Sequence, residues 1–313
     1  IASAREHAEA LTGLPFEELK AQVARTEREL LVLLPKPLDR RGERRRSPLL
    51  EAAYLARRLA EAGLKGLVFA GARKSAELIA RYAAHPLVRP YRAGYTARER
   101  RRLEADLKEG RVRVLVSTSA LELGVDIGEL DAVVLVGYPG SPAASGRRAG
   151  RAGRGERRAL LVYIPREDPM DEYFLHRPAL LLESPPEEAV ADPQNPVLCP
   201  LHLHAAAREK PLLAEELLCP EARATLKERN GRFFTPKRNP HREITLRGLG
   251  ATFTLRGPDG EVLGYLDERQ AYWEAHPGAI YLHQGESYLV RNVDLARREV
   301  WLLPALEDYY TEP

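Results

Sequence analysis

VLVSTSALELGVDIGELDAVVLVGYPGSPAASGRRAGRAGRG, residues 114–155, is the stretch that decides the fold of this 313-residue chain. Val112–Ser117 reads as an apolar run ending in hydroxyls, and Ala132–Val136 as a second. Such runs are the mark of strands covered on both faces, as in a parallel sheet flanked by helices. Between them lies a short helix or loop, Leu121–Gly128. Beyond the second run a glycine-rich turn sets Arg151 and Arg154 around Gly150 and Gly153. Three residues apart on an opening helical turn, both guanidinium forks can face one way with little bulk to block a ligand. A fork grips a phosphate bidentately, which a lysine does not.

Outward from this stretch the pattern alternates. Helices are expected at 49–62, 73–83, 96–109 and around 145–153, with strands at 66–70, 112–117, 132–136 and 159–164, which predicts an α/β fold with a mostly parallel sheet. Further upstream, helices are expected at 4–11 and 15–25 and a strand in ELLVLLP (29–35). Short helices are expected at 198–208, 213–218 and 221–228. From 241 to 304 the chain turns to short alternating strands with glycine turns, PDG at 258–260 marking a hairpin, and a small β-barrel or curled sheet is expected.

Composition narrows the class. The length suits about two domains. No apolar stretch approaches the roughly 20 residues of a membrane helix, and no signal peptide opens the chain, so a cytoplasmic protein without a membrane partner is expected. The net charge of +3 hides a local asymmetry: Arg147–Arg158 holds six arginines against Glu156, while LESPPEEAVAD (182–192) is acidic. The basic run RRGERRR (40–46) lies between prolines like a linker. Cys199 and Cys219 are too few for a tetrathiolate zinc site, and with His202 and His204 they make a poor metal constellation, so no metal is expected to bind.

Residues 115–126 resemble motif V, and Gly150–Arg154 the GRxxR end of motif VI, of superfamily 2 DEAD/DEAH-type helicases. LKGLVFAGARKSAELIARY (64–82) resembles motif IV with its helix, and residues 88–118 the nucleic-acid-contacting stretch that leads into motif V. ALELGVDIGELDAVVLVGYPGS, HPGAIYLHQGESYLV (276–290) and DYYT (308–311) are similar to the bacterial DNA-repair helicases of the YprA/MrfA type. The resemblance implies a RecA-like second helicase lobe at 48–194, a winged-helix-like module at 195–240 and a small β-rich domain at 241–313. It makes 1–36 the remnant of a first lobe and 37–47 a basic linker, so the chain reads as the C-terminal portion of a larger helicase.

Ligands of an open α/β sheet bind beyond the carboxyl ends of its strands. By resemblance Arg151 and Arg154 would stabilise charge on the γ-phosphoryl of ATP, with Gly124, Asp126 and Gly150 also in nucleotide contact. For DNA, single-stranded or partly duplex, the expected contacts are Arg73, Arg92, Gly94, Thr96, Thr118 and Ser119. Thr96 also reads as a helix N-cap. Tyr95 reads equally as packing, Glu122 equally as a capping or packing residue and a functional one. Trp273 and Trp301 are expected to be buried, with base stacking as the alternative.

The GxxxxGK[ST] loop and the acidic pair that hold phosphates and magnesium are absent from the 313 residues; GARKS at 71–75 lacks the spacing. ATP with Mg2+ is therefore expected only at an interface with a first RecA-like lobe, and the chain alone is expected to be inactive. Arg147 occupies the position where the family usually has glutamine, exchanging a donor and acceptor for a donor alone. Two functions are compatible with these residues: the second motor lobe of an ATP-dependent DNA helicase, or a stand-alone nucleic-acid-binding module that kept the fold without the engine.

Overall fold

The structure is a computed structural model and describes residues 2–19, 28–39, 41, 44–153, 158–244, 250–305, 309 and 311. The elements open with α1 (Ala4–Thr12), β1 (Arg28–Val32), α2 (Pro48–Glu61), β2 (Gly66–Phe69), α3 (Arg73–Ala83), β3 (Val88–Tyr91), α4 (Ala97–Glu109) and β4 (Val114–Ser117). They continue with β5 (Ala132–Val136), α5 (Pro142–Ala149), β6 (Ala159–Ile164), α6 (Pro169–His176), α7 (Leu180–Glu183), α8 (Leu198–Glu209) and α9 (Pro220–Thr225). The last are β7 (Lys227–Arg229), β8 (Arg232–Phe234), β9 (Thr252–Arg256), β10 (Val262–Asp267), α10 (Glu268–Glu274), β11 (Ile280–His283), β12 (Glu286–Asp294) and β13 (Glu299–Pro304). Two compact units result, one of residues 1–21 and 188–249, the other of 22–187 and 250–313.

In the larger unit six strands form one sheet in the order β1-β6-β5-β2-β4-β3, each pairing parallel. Strand parity sorts the apolar runs between two cores. Val68, Val116, Val134 and Val162 pack with Ala52, Ala56 and Ile79 of α2 and α3 on one face. Leu67, Leu115, Val133 and Leu161 pack with Leu107, Ala149 and Phe174 on the other. Each such aliphatic side chain, taken fully out of water, contributes roughly 1.5–3 kcal/mol. Cap chemistry starts α2 and α4: Ser47 precedes Pro48 and accepts from the Leu49 N–H, and Thr96 and Glu99 form a capping box on α4.

The strand expected in ELLVLLP corrects the domain reading. β1 belongs to this same sheet, parallel to β6 from Arg28↔Ala159 to Val32↔Tyr163, and is not the edge of a separate lobe. Its inward residues Leu30 and Val32 find their apolar partners on that sheet's own core. The helix expected at 15–25 gives way to irregular chain at 14–19, and 20–27 lies outside the described residues. β3, α6 and α10 arise where no element was expected, and the helix around 145–153 instead spans Pro142–Ala149.

Residues 250–313 carry a five-stranded sheet, β10-β9-β13-β12-β11, with β13 and β9 parallel and the rest antiparallel. Its end strands β10 and β11 are edges, so the sheet does not close into a barrel. The expected hairpin at PDG joins β9 to β10 with Gly260 at φ +80°. β11 and β12 are joined through Gln284 and Gly285, both at positive φ. EITLRG (243–248) begins outside any strand, and its residues 245–248 lie outside the described residues.

In the smaller unit α8, α9 and the β7–β8 hairpin enclose Leu203, Leu212, Ala222 and Phe233 together with both cysteines. Residues 213–218 and 221–228 are less helical than expected: a single 3-10 turn at Ala214–Glu216, and α9 giving way to β7. His204 is buried between the hydroxyls of Thr235 and Thr225, at 2.8 and 3.0 Å.

Candidate functional site

At the carboxyl edge of the parallel sheet, β4 runs out at Ser117 and the chain passes through the 3-10 turn Ser119–Leu121 to Glu122. Glu122 is the hub of this edge. Its Oε1 accepts Arg147 Nε at 2.8 Å and its Oε2 accepts Arg148 Nε at 2.8 Å, with the carboxylate almost wholly buried. Its main-chain oxygen accepts Arg151 Nη2 at 2.8 Å and Nε at 3.2 Å, while Arg151 Nη1 donates to the Val125 carbonyl at 2.7 Å. One residue of the loop after β4 thus holds three arginines of the α5 segment. Arg148 also lies over the Phe69 ring, 5.2 Å from its centroid.

The other end of α5 is fixed separately. Ser141 caps it by accepting from the Ala144 N–H, and Glu187 accepts from the Ala143 N–H at 2.9 Å. The Ser141 hydroxyl and that N–H hold the Glu187 carboxyl down at about 2.

Most of the expected nucleotide residues lie along this edge. Arg151 is buried, its fork turned onto the protein's own carbonyls rather than displayed. Gly150 ends α5, where a Cβ would lie 3.0 Å from the Gly146 oxygen. Gly124 takes φ +74°, the left-handed conformation that favours glycine. Asp126 is exposed, pairs with Lys108 at 2.8 Å and accepts from the Gly128 N–H. Arg154 lies outside the described residues. No cluster of three metal-binding side chains occurs among the described residues. The described arginines of this edge are committed to Glu122 and Val125, and neither they nor the glycines supply a ligand for a magnesium ion.

The expected nucleic-acid residues divide. Thr118 and Ser119 sit just past the end of β4, Ser119 exposed. Arg92 and Gly94 require correction, because the β-rich domain covers them; Arg73 is half-buried and lines the cleft beside that domain. Arg92 is 2% exposed, and its guanidinium meets Glu77 Oε1 at 2.8 Å, the Tyr281 hydroxyl at 2.6 Å and the Leu282 carbonyl at 2.9 Å. Glu77 also accepts from the Tyr95 hydroxyl and the Gly285 N–H. A buried arginine of this kind has its donors spent, leaving none for a phosphate strand. The Gly94 carbonyl accepts from the Tyr265 N–H at 2.8 Å, and Arg73 donates to Gln270. Thr96 spends its hydroxyl on Glu99 in the capping box. The HPGAIYLHQGESYLV block is the hairpin that closes this contact. Glu77 and Tyr281 were missed, since partners some 190 to 210 residues away leave no local pattern, and the pairing role of Glu122 was missed because its arginines lie 25 to 29 residues on, beyond any helical or strand period; the isolated charge of Glu77 inside an apolar helix face is the hint the sequence carries.

Residues 50–156 match the helicase conserved C-terminal domain family. With the parallel sheet and the arginine-bearing helix packed on the loop after β4, this part of the chain is a helicase C-terminal domain with the RecA-like fold. The likeness of the whole chain is to helicases of the YprA/MrfA type. It is 31% identical to the ATP-dependent helicase YprA of Bacillus subtilis over its whole length, covering 45% of that protein. The identity to the ATP-dependent helicase hrq1 of Schizosaccharomyces pombe is 30% over 81% of this chain and 26% of that one. The crystal structure of the helicase MrfA bound to DNA and AMPPNP superposes with a TM-score of 0.82 at 30% identity, over 99% of this chain and 47% of that one. The chain therefore spans less than half the length of these relatives.

Proposed function

We propose that this chain supplies the second motor lobe and accessory domains of an ATP-dependent DNA helicase, with ATP and Mg2+ held where a first RecA-like lobe meets the edge built by Glu122, Asp126 and Arg151. The observation that carries the reading is the clamp of Glu122 on Arg147, Arg148 and Arg151, which ties the loop after β4 to the arginine helix. In a two-lobed motor, movement of that helix on arrival of a γ-phosphate would be passed directly to the loop carrying Thr118 and Ser119. Arg151 would leave the Glu122 and Val125 carbonyls for phosphate oxygens, and Arg154 would join it; such a finger contributes on the order of 10³–10⁵ in rate. Residues 195–240 we take as a winged-helix-like module. The family resemblance implies 3′ to 5′ translocation and a role in DNA repair, and from composition we take the protein to work in the cytoplasm.

The test is ATP turnover with single-stranded DNA, by this chain alone and with a first lobe added. Turnover that needs the added lobe and disappears in Arg151→Ala supports the motor. DNA binding without turnover under both conditions favours the second reading, a binding module without the engine, to which the commitment of Arg147 to Glu122 in place of the family's glutamine lends weight.

A further inference from the structure

The β-rich domain and the start of α3 enclose a cavity of about 480 Å³, lined among others by Arg73, Lys74, Trp273, Glu274, His276 and Tyr281. That size falls within the range of small-molecule sites. Trp273 was expected inside the β-rich domain, yet it is 56% exposed. The reason is α10: its buried side is taken by Ala271 and its end by Ala275, leaving position 273 turned away from the core. The helix is nonetheless rigidly placed, by a capping box from Asp267 and Gln270 and by the bond from Arg73 to Gln270. An indole held in place but uncovered is a stacking surface at little entropic cost.

Two neighbours define the ligand such an indole would stack on. Arg73 bonds a neutral amide rather than a carboxylate, and its charge shares the cleft with the carboxylates of Glu274 and Asp267. Glu274 is half-buried on the cavity wall and makes no hydrogen bond or ion pair among the described residues. A carboxylate so placed lacks only donors. A nucleobase presents a flat π-face together with ring or amine N–H groups on its edge, and shows both at once only when unpaired.

We propose that this cleft receives one unpaired base of a single-stranded nucleic acid, stacked on Trp273 with its N–H edge toward Glu274 and its phosphate toward Arg73. The inference rests on the nucleic-acid reading under Proposed function, and extends it to a base-holding site on the accessory domain, outside the arginine helix and the loop after β4. Backbone contacts position a strand; a stacked base holds it between steps.

The test uses this chain with two oligonucleotides of equal length, oligo-dA and an abasic polymer carrying the same phosphates. Trp301→Phe leaves Trp273 as the sole indole reporter. Expected are quenching of Trp273 emission by oligo-dA alone, and a loss of oligo-dA affinity of roughly 5- to 150-fold in Trp273→Ala. Affinity for the abasic polymer should be unchanged, and Trp273→Phe should recover most of the loss. Oligo-dA binding that is indifferent to Trp273→Ala, with emission unmoved, overturns the cleft while leaving the helicase reading intact, and would give the indole to a protein partner instead. Absence of binding to either polymer by the wild-type chain overturns both.

Discussion

Gly94 and Gly264 meet backbone to backbone: a Cβ built on Gly264 would lie 2.4 Å from the Gly94 carbonyl oxygen, and one on Gly94 would lie 2.8 Å from the Tyr265 oxygen. Neither obstacle is a side chain that can swing aside, so the joint between the helicase lobe and the β-rich domain depends on the missing methyl groups. Gly264→Ala is expected to cost about 1–3 kcal/mol through overpacking. Thermal unfolding would show it, and a melting curve equal to wild type would mean the two backbones do not approach this closely.

Arg92 and Glu77 are the charged centre of the same joint. Removing one partner strands the other in a buried site, so Arg92→Met should destabilise by about 3–5 kcal/mol, and the Arg92→Met/Glu77→Gln double variant should recover part of the loss. Chemical denaturation of the two variants measures this directly. Additive losses would show that the two residues are energetically independent.

Glu122→Ala removes the carboxylate shared by Arg147 and Arg148 while leaving the main-chain oxygen that Arg151 uses. A loss of about 2 kcal/mol in stability is expected from the charged hydrogen bonds. With a first lobe added, ATP turnover should fall further than that stability loss explains, because the arginine helix is no longer tied to the loop after β4. Turnover at the wild-type level would remove the clamp from the mechanism.

Glu187 gives a pH dependence with a definite sign. Its carboxyl is held at about 2 in the folded chain by the Ser141 hydroxyl and the Ala143 N–H, below an ordinary value near 4.5. Its contribution is complete above the ordinary value and is lost as the pH falls from there through about 2. A carboxyl NMR titration should place the midpoint near 2, and Glu187→Gln should flatten that part of the acid-unfolding profile.

Burial, and then the neighbouring Cys219, push the Cys199 thiol up to about 12. Native protein should therefore resist alkylation of Cys199 at neutral pH, and unfolded protein should react at once. Rapid modification of the folded chain, read by mass spectrometry, would contradict its placement.

Most of the parallel sheet was legible because strands such as Ala132–Val136 are apolar at consecutive positions, and α2, α4 and α5 open with cap chemistry such as Thr96 with Glu99. The arginine edge was legible for the same local reason, from glycines and arginines within a few residues. Arg92 and Gly94 were misread because their partners, Tyr281 and Tyr265, lie far along the chain, and a buried arginine looks in sequence like any exposed one. Trp273 was misread because α10 is only seven residues long, too short to show a helical period. β1 was placed in the wrong lobe since a lone strand carries no information about which sheet edge it will join.

The Arg92–Tyr281 contact spans 189 residues, and the segment 188–249 between them belongs to the other compact unit. At about 5–20 residues per second of synthesis, the ribosome leaves Arg92 and Glu77 without Tyr281 for on the order of 10–40 s. During that interval the helicase lobe is an unfinished body with a charged pair facing water. The consequence for the protein's birth is that Arg92, Glu77 and Tyr95 have only one another until the β11–β12 hairpin emerges and brings Tyr281 and Gly285 to them.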